Sequence, residues 1–448
     1  MKKREFLKTM TLAAGATALP LSIWSCASSA PKMIRTAHVG VGNMGMADLE
    51  AIASHPQVKV AALCDVDSEH LKAAHALFPD AQVFADYRTM MEQFSNQIDA
   101  VVVSTPDHTH APASLLAMEY DKPVYCQKPL THYVSESREM RRVANEKGLI
   151  TQMGIQVHSF YDYKLATLLI RKGIIGKVSK VIAWSNKNWG YDGPVPEGAD
   201  AVPERLDWNL WLGTSSERPY KEGYYHPMNW RKLMDYGCAT LGDMGVHIFD
   251  TPYNALDIDV PDTITTYCRE SNGYGYPERN EVHYTFEGTA YTTPEFEWVW
   301  FDGVEGPVIT DELVLPNGDA LPDQGAMFIG ENGQRLLLPH FQQLPQLIVD
   351  GAYADYTIAD FDTEGIMGEP VRDYAAESPK HYHQFIDACL GKAETSAPFD
   401  YSARLTETIL LGVIAGRFPG KTLHYNKQAS AFEEAEANQY LSGDYRSF

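Results

Sequence analysis

A chain of 448 residues has room for two or three hydrophobic cores, and 44% hydrophobic with 21% charged residues is ordinary globular composition. A formal net charge of −22 argues against a nucleic-acid partner, which needs a basic face, and against electrostatic adhesion to anionic lipid. Beyond Cys26, the cysteines Cys64, Cys126, Cys238, Cys268 and Cys389 include no close pair with metal-ligand spacing, so they read as small apolar fillers, and neither a metal site nor a disulfide framework is expected.

Residues 1–30 read as an export leader. Lys2, Lys3, Arg4 and Lys8 make a cationic start, and residues 10–24 are apolar but too short to span a bilayer as a mature helix. The run from Lys3 to Lys8 resembles a twin-arginine signal with Lys3 in place of the first arginine. Ser25-Cys26 followed by Ala-Ser-Ser resembles a lipoprotein cleavage site, although Trp24 is an unusual flank. Lipid anchoring at Cys26 and free periplasmic release are both open, and such a lipid would be the sole membrane attachment.

Residues 31–153 alternate short apolar runs with amphipathic ones. Runs at 37–41, 58–64, 98–104 and 122–126 are β-branched and bounded by turn residues, as strands buried on both faces are. Between them, residues 68–78, 87–94, 110–120 and 135–147 read as helices, with Ser68 and Ser135 as N-caps and Gly148 as a stop. This alternation predicts an N-terminal Rossmann domain with a parallel sheet covered on both sides. Residues 154–425 differ in character: a helix at 164–172, a strand at 177–185 and an irregular Pro/Gly/Trp-rich loop at 189–213. Strand-like runs recur at 263–268, 280–286, 289–296, 327–329 and 335–338, with Glu331-Asn332-Gly333 as a hairpin signal. Helices are expected at 378–390 and 403–415. The second domain is therefore expected to be α+β, with a large, mostly antiparallel open sheet. Residues 426–448 read as a polar tail laid over the surface.

Four segments carry chemistry. Gly40-x-Gly42-x-x-Gly45 follows an apolar strand and opens a helix, the context in which such a pattern holds a dinucleotide pyrophosphate at a helix N-terminus. Asp65, twenty residues past Gly45 at the end of the second strand, is placed to accept from a ribose 2′-hydroxyl and to repel a 2′-phosphate, which favours NAD over NADP. Ser104-Thr105-Pro106-Asp107-His108-Thr109-His110 lies at a strand's carboxyl end, where open α/β sheets bind ligands; with no third ligand nearby, the histidines read as helix-start residues rather than metal ligands. Cys126-Gln127-Lys128-Pro129 places a lysine beside a buried strand end, either for a task or as a surface residue in a turn set by Pro129. Asn43, Met44, Thr105, Pro106, His110, Gln127 and Lys128 are taken with the glycines as cofactor contacts. Finally, Asn229-Trp230-Arg231 precedes Gly237-Cys238-Ala239-Thr240-Leu241-Gly242-Asp243-Met244-Gly245-Val246-His247. Asp243 and His247 are spaced i, i+4, so on an α-helix they share a face and the carboxylate can orient the imidazole.

The glycine fingerprint, the Lys-Pro after a strand and Gly-x-x-x-Asp-x-x-x-His, in this order and spacing, resemble the Gfo/Idh/MocA oxidoreductases, and the resemblance runs from Met33 through nearly all that follows. It implies a Rossmann domain joined to an α/β domain whose open sheet supports homodimers or homotetramers, with Lys128 catalytic and Asp243 and His247 as its partners. Gln127 departs from the family's Glu-Lys-Pro, so Lys128 loses an anionic neighbour; the variant resembles an exported bacterial subgroup.

The reading that follows is an NAD-dependent oxidoreductase that moves hydride between a sugar, polyol or glycoside carbon and nicotinamide. In it His247 is the general base, Asp243 orients His247, Lys128 stabilises the developing alkoxide, and Gln156, His158, Trp230 and Arg231 contact substrate. Packing or structural polar networks explain Trp230, Gln156 and His158 equally well. Two alternatives use the same scaffold: a redox-neutral glycoside-processing enzyme with tightly held NAD, and a non-catalytic exported sugar-binding protein.

Overall fold

The computed structural model describes residues 32–448 apart from 342 and 372. The expected leader and the lipid on Cys26 lie outside the described residues. Residues 33–448 form one compact unit. Among the described residues, no helix is long and apolar enough to cross a membrane.

The first half alternates strand and helix: β1 Ile34–Val39, α1 Met44–Ala53, β2 Val58–Cys64, α2 Ser68–Leu77, β3 Gln82–Phe84, α3 Tyr87–Phe94, β4 Ala100–Val103, α4 Asp107–Glu119, β5 Val124–Cys126, α5 Val134–Lys147 and β6 Thr151–Met153. The six strands pair in the order β3-β2-β1-β4-β5-β6, all parallel, which is the doubly wound Rossmann topology. Val39 pairs with both Cys64 and Val103. That register brings Gly40, Asp65 and Ser104 to one level at the carboxyl edge, astride the point where the strand order reverses.

Local chemistry explains where the helices begin. Asp67, not Ser68, caps α2, and its Oδ1 accepts from the Glu69 N–H. The start of α5 is held by Glu136, whose Oε2 accepts from the His132 and Tyr133 N–H groups, so Ser135 is not the cap. A carboxylate accepts more strongly than a hydroxyl, so the acid wins each end. α4 begins at Asp107, three residues before the expected start. The short edge strand β3 has no sequence signal of its own, since three partly exposed residues are too few to show a period.

The second half contributes α6 Tyr161–Arg171, β7 Val178–Ser185, α7 Trp208–Leu212, a π-helical turn Leu241–Gly245, α8 Val246–Leu256, β8 Thr263–Tyr267, β9 Asn280–Glu287, β10 Thr292–Asp302, β11 Gln324–Gly330, β12 Arg335–Pro339, β13 Gln346–Val349, β14 Ala352–Ala354, α9 Ile358–Phe361, α10 Tyr374–Cys389, α11 Phe399–Ala415, β15 Thr422–Asn426 and β16 Ala431–Phe432. Ten strands form one open sheet, β14-β13-β12-β11-β7-β10-β9-β8-β15-β16. Every pairing is antiparallel except β7 with β10. β10 runs later than expected because residues 289–291 form a turn, in which Thr289 Oγ1 accepts from Tyr291 N and donates to Leu256 O.

α8 packs its apolar face on this sheet, and Phe249 stacks on Trp298 with ring centroids 4.2 Å apart. α10 crosses back to the first domain, where Tyr382, Phe385 and Ile386 bury against Ile34, Val102 and Tyr125 of the parallel sheet. The two domains therefore share a core element. Phe249→Ala removes a fully buried ring from the sheet–helix interface and should lower stability by about 3–5 kcal/mol, measured by urea denaturation.

Candidate active site

The glycine turn is shaped by close approach. Gly40 adopts φ +83°, and a β-carbon there would lie 2.6 Å from the Ser104 carbonyl oxygen. A β-carbon on Gly45 would lie 2.3 Å from the Gly40 carbonyl oxygen. Both glycines let the β1–α1 turn pack against the end of β4. Asn43 precedes α1 at φ 47° and makes no side-chain cap. The N-terminus of α1 thus lacks a side-chain acceptor and suits an anion such as a pyrophosphate. Asp65 sits beside it: Oδ2 accepts from Val41 N and Oδ1 from Asp67 N, each at 2.8 Å, and His70 Nδ1 is 3.7 Å away. The neighbouring Asp65 carboxylate, set against the cost of burial, raises the His70 pKa.

A cavity of about 470 Å³ runs from this turn to the domain junction. Gly40, Gly42, Asn43, Met44, Asp65, Thr105, Pro106, His110, Gln127 and Lys128 all line it, and so do Gln156, Trp230, Arg231, Asp243 and His247. An uncapped helix start, a glycine cradle and an acid after β2 are together the donor and acceptor set an NAD would need.

At the junction, Lys128 Nζ donates to Asp243 Oδ1 at 2.7 Å and to the Asp243 carbonyl at 2.8 Å. Arg231 Nε reaches the same Oδ1 at 3.2 Å, and the Arg231 guanidinium stacks over the Trp230 ring at 4.2 Å. Burial alone would raise the Asp243 pKa, but the Lys128 and Arg231 charges overcome it and hold the carboxyl well below the usual range. His247 is pushed well below its ordinary value by burial and then by Lys128, so its imidazole is neutral at pH 7. Its Nδ1 is buried with no hydrogen-bond partner.

Three expectations need correction. Asp243 does not orient His247: its carboxylate is engaged by Lys128 and Arg231. Leu241–Gly245 is, moreover, a π turn and not the α-helix that the i, i+4 spacing assumes. His158 does not face this cavity; the short 3-10 helix Gln156–Ser159 turns it away, and its Nδ1 bonds Asp250 at 2.9 Å beside a separate cavity. Lys128 is not short of an anion, since Asp243 supplies one.

Other expected contacts have structural duties as well. His110 sets its two ring nitrogens on the carbonyls of Pro129 and Thr105, each at 2.8 Å, which ties two loops of the site together. Gln156 Nε2 donates to Tyr382 of α10. Gln127 Nε2 donates to both Asp48 oxygens at 2.9 and 2.8 Å, and its Oε1 accepts from Lys128 N at 3.1 Å. Asp48 is fully buried and also accepts from Ser104 and Tyr382 hydroxyls.

Sequence reasoning missed Asp107, Trp189 and His340, all on the cavity wall. Asp107 was visible beside Thr105-Pro106 but had no pattern of its own. Trp189 lies in the irregular loop, pinned where its N–H donates to Thr240 Oγ1. His340 follows β12 and arrives 6.0 Å from the His247 ring only through tertiary packing. Among the described residues, Asp67, His70 and His226 bring ligand atoms within 4.8 Å of one another. The Arg205 guanidinium contacts the same Asp67 oxygen as His226, which puts positive charge where a cation would sit.

Two family models match the chain: an oxidoreductase-family NAD-binding Rossmann fold over residues 34–155, and that family's C-terminal alpha/beta domain over residues 164–286. Together they cover more than half of it, and the chain belongs to the Gfo/Idh/MocA oxidoreductase family. Inositol 2-dehydrogenase of Rhodococcus jostii is 32% identical over 147 residues, which is 32% of this chain and 40% of that protein. The chain spans about two fifths of the length of the curated relatives it matches. Among solved structures, aldose-aldose oxidoreductase from Caulobacter crescentus, complexed with glycerol, has a TM-score of 0.59 at 16% identity, covering 88% of this chain and 100% of that one. WlbA dehydrogenase from Bordetella pertussis, in complex with NADH and UDP-GlcNAcA, has a TM-score of 0.59 at 15% identity, covering 88% and 99%. These two likenesses establish the shared fold.

Asp107 gives a pH signature. Burial raises its pKa to about 7, with Arg231 and Lys128 pulling it back. Between about pH 4 and pH 7 the folded chain then binds a proton that the unfolded chain has released, so stability falls as pH rises through that window. Asp107→Asn removes the effect. Unfolding free energies from urea titrations between pH 4.5 and 7.5, without dinucleotide, should fall less steeply for the variant, by about 2–4 kcal/mol across the window.

Proposed function

We propose that this chain oxidises a CH–OH carbon of a sugar, polyol or glycoside with NAD. The observation that carries the reading is the end of the cavity opposite Asp65, where Lys128 is paired to Asp243 beside the neutral imidazole of His247. NAD, when bound at the glycine turn, supplies the hydride acceptor. His247 receives the substrate hydroxyl proton, which its neutral state permits. Lys128 donates to the oxygen as negative charge develops there, and Asp243 fixes the ammonium for that purpose. Arg231, Trp230 and Gln156 are the substrate contacts on the cavity wall. The inositol 2-dehydrogenase among the relatives supports this oxidation. The charged, closely hydrogen-bonded pair weighs against a retired binding scaffold.

Lys128→Met should lower kcat by about two to four orders of magnitude while NAD affinity stays within a few-fold of the parent. A sugar and polyol panel followed at the nicotinamide absorbance reads the first quantity and calorimetry the second; retained turnover would sink the assignment. Asp65→Ala should erode discrimination against NADP, seen as convergence of the two dissociation constants.

We further infer an exported, periplasmic enzyme, on the basic start and apolar run of residues 1–24, with Cys26 as a lipid-anchor candidate. Intact-mass measurement of the chain from cell envelopes tests both, because cleavage before Cys26 with an added diacylglycerol has a distinct mass. The long open sheet supports a homodimer or homotetramer, which light scattering of the purified protein tests.

A further inference from the structure

The cavity continues past Asp65, away from Lys128. There it is bounded by Asp86 and Tyr87 at the start of α3, Thr109 in the first turn of α4, Leu210 of α7, and the ring of Phe448. In a doubly wound sheet of this order the pyrophosphate lies at the first helix and the ribose at the acid after β2. The compartment beyond Asp65 is therefore the place for the purine base.

Phe448 reaches that compartment through a strapped segment. Ser135 N donates to Leu441 O at 2.9 Å, and Tyr445 OH donates to Glu136 Oε1 at 3.1 Å. Arg446 N donates to Thr214 O at 3.0 Å, while its guanidinium donates to the side-chain and backbone oxygens of Asn209 at 2.8 and 2.7 Å. Arg88 lies over the Phe448 ring at 3.9 Å and donates to its backbone oxygen. The ring thus has the Arg88 guanidinium at 3.9 Å and that of Arg446 at 5.8 Å, and Phe448 lines the cavity.

We propose that Phe448, backed by Arg88, is a stacking wall for the adenine of bound NAD, and that residues 441–448 strap the dinucleotide in place. The idea rests on the NAD reading above and adds a residue to it. A flat apolar ring stabilises a base of any sequence by stacking, and a guanidinium behind the ring stiffens it. Such a strap would slow loss of the bound cofactor.

The test uses the full chain with ADP-ribose, which keeps the adenosine and pyrophosphate of NAD and lacks the nicotinamide. Phe448→Ala should weaken ADP-ribose binding by about tenfold in calorimetry and speed NADH release by a similar factor in stopped flow. Phe448→Trp should restore both. Trypsin cleavage after Arg446 should slow on adding ADP-ribose to the parent, because binding and strap closure are linked reciprocally. The melting temperature of dinucleotide-free Phe448→Ala should stay close to the parent's, which separates stacking from a purely structural role. Unchanged ADP-ribose affinity in Phe448→Ala overturns the strap while leaving the NAD reading intact. A parent chain that binds neither NAD nor ADP-ribose overturns both.

Discussion

The ion pair between Lys128 and Asp243 joins the end of β5 to the π turn before α8, and so joins the two domains. Both side chains are largely buried, at 13% and 14% exposure, and each alone would cost several kcal/mol to hold there charged. Domain packing and charge pairing are therefore one event. Arg231 adds a second cation on the same oxygen. Burial, and then the Lys128 charge, keep His247 neutral, and two cations on one carboxylate favour an oxyanion in the cavity.

A second buried acid supports the first pair from behind. Asp48 of α1 gathers hydrogen bonds from Ser104, Gln127 and Tyr382, and so ties the glycine-turn helix to β4, β5 and α10. Gln127 passes this order on by accepting from the Lys128 N–H. The amide at 127 has a physical reason. A glutamate would set two buried carboxylates against each other, whereas glutamine donates to Asp48 and accepts from Lys128 at once.

Much of the first domain was legible because its signals are local. Short β-branched runs bounded by turns reveal β1, β2, β4 and β5, and the glycine spacing with Asp65 marks the candidate cofactor cradle. The caps were displaced by a residue or two because aspartate and glutamate outcompete serine for free N–H groups, as at Asp67 and Glu136. In the second domain β13 to β16 went unseen, since strands of two to five residues owe their pairing to neighbours. α10, expected within the C-terminal domain, packs on the first sheet.

Read alone, the sequence carries the fold class, the parallel character of the first sheet and the glycine turn with Asp65, because each follows from spacing within a few tens of residues. It also singled out Lys128, Asp243 and His247. Only the tertiary structure decided that Asp243 serves Lys128, 115 positions away, rather than His247 in the next turn. It alone turned His158 out of the cavity and brought His340 and Phe448 in. A π turn, a domain junction and a tail docked on a distant helix are set by long-range packing, which leaves no period in the chain.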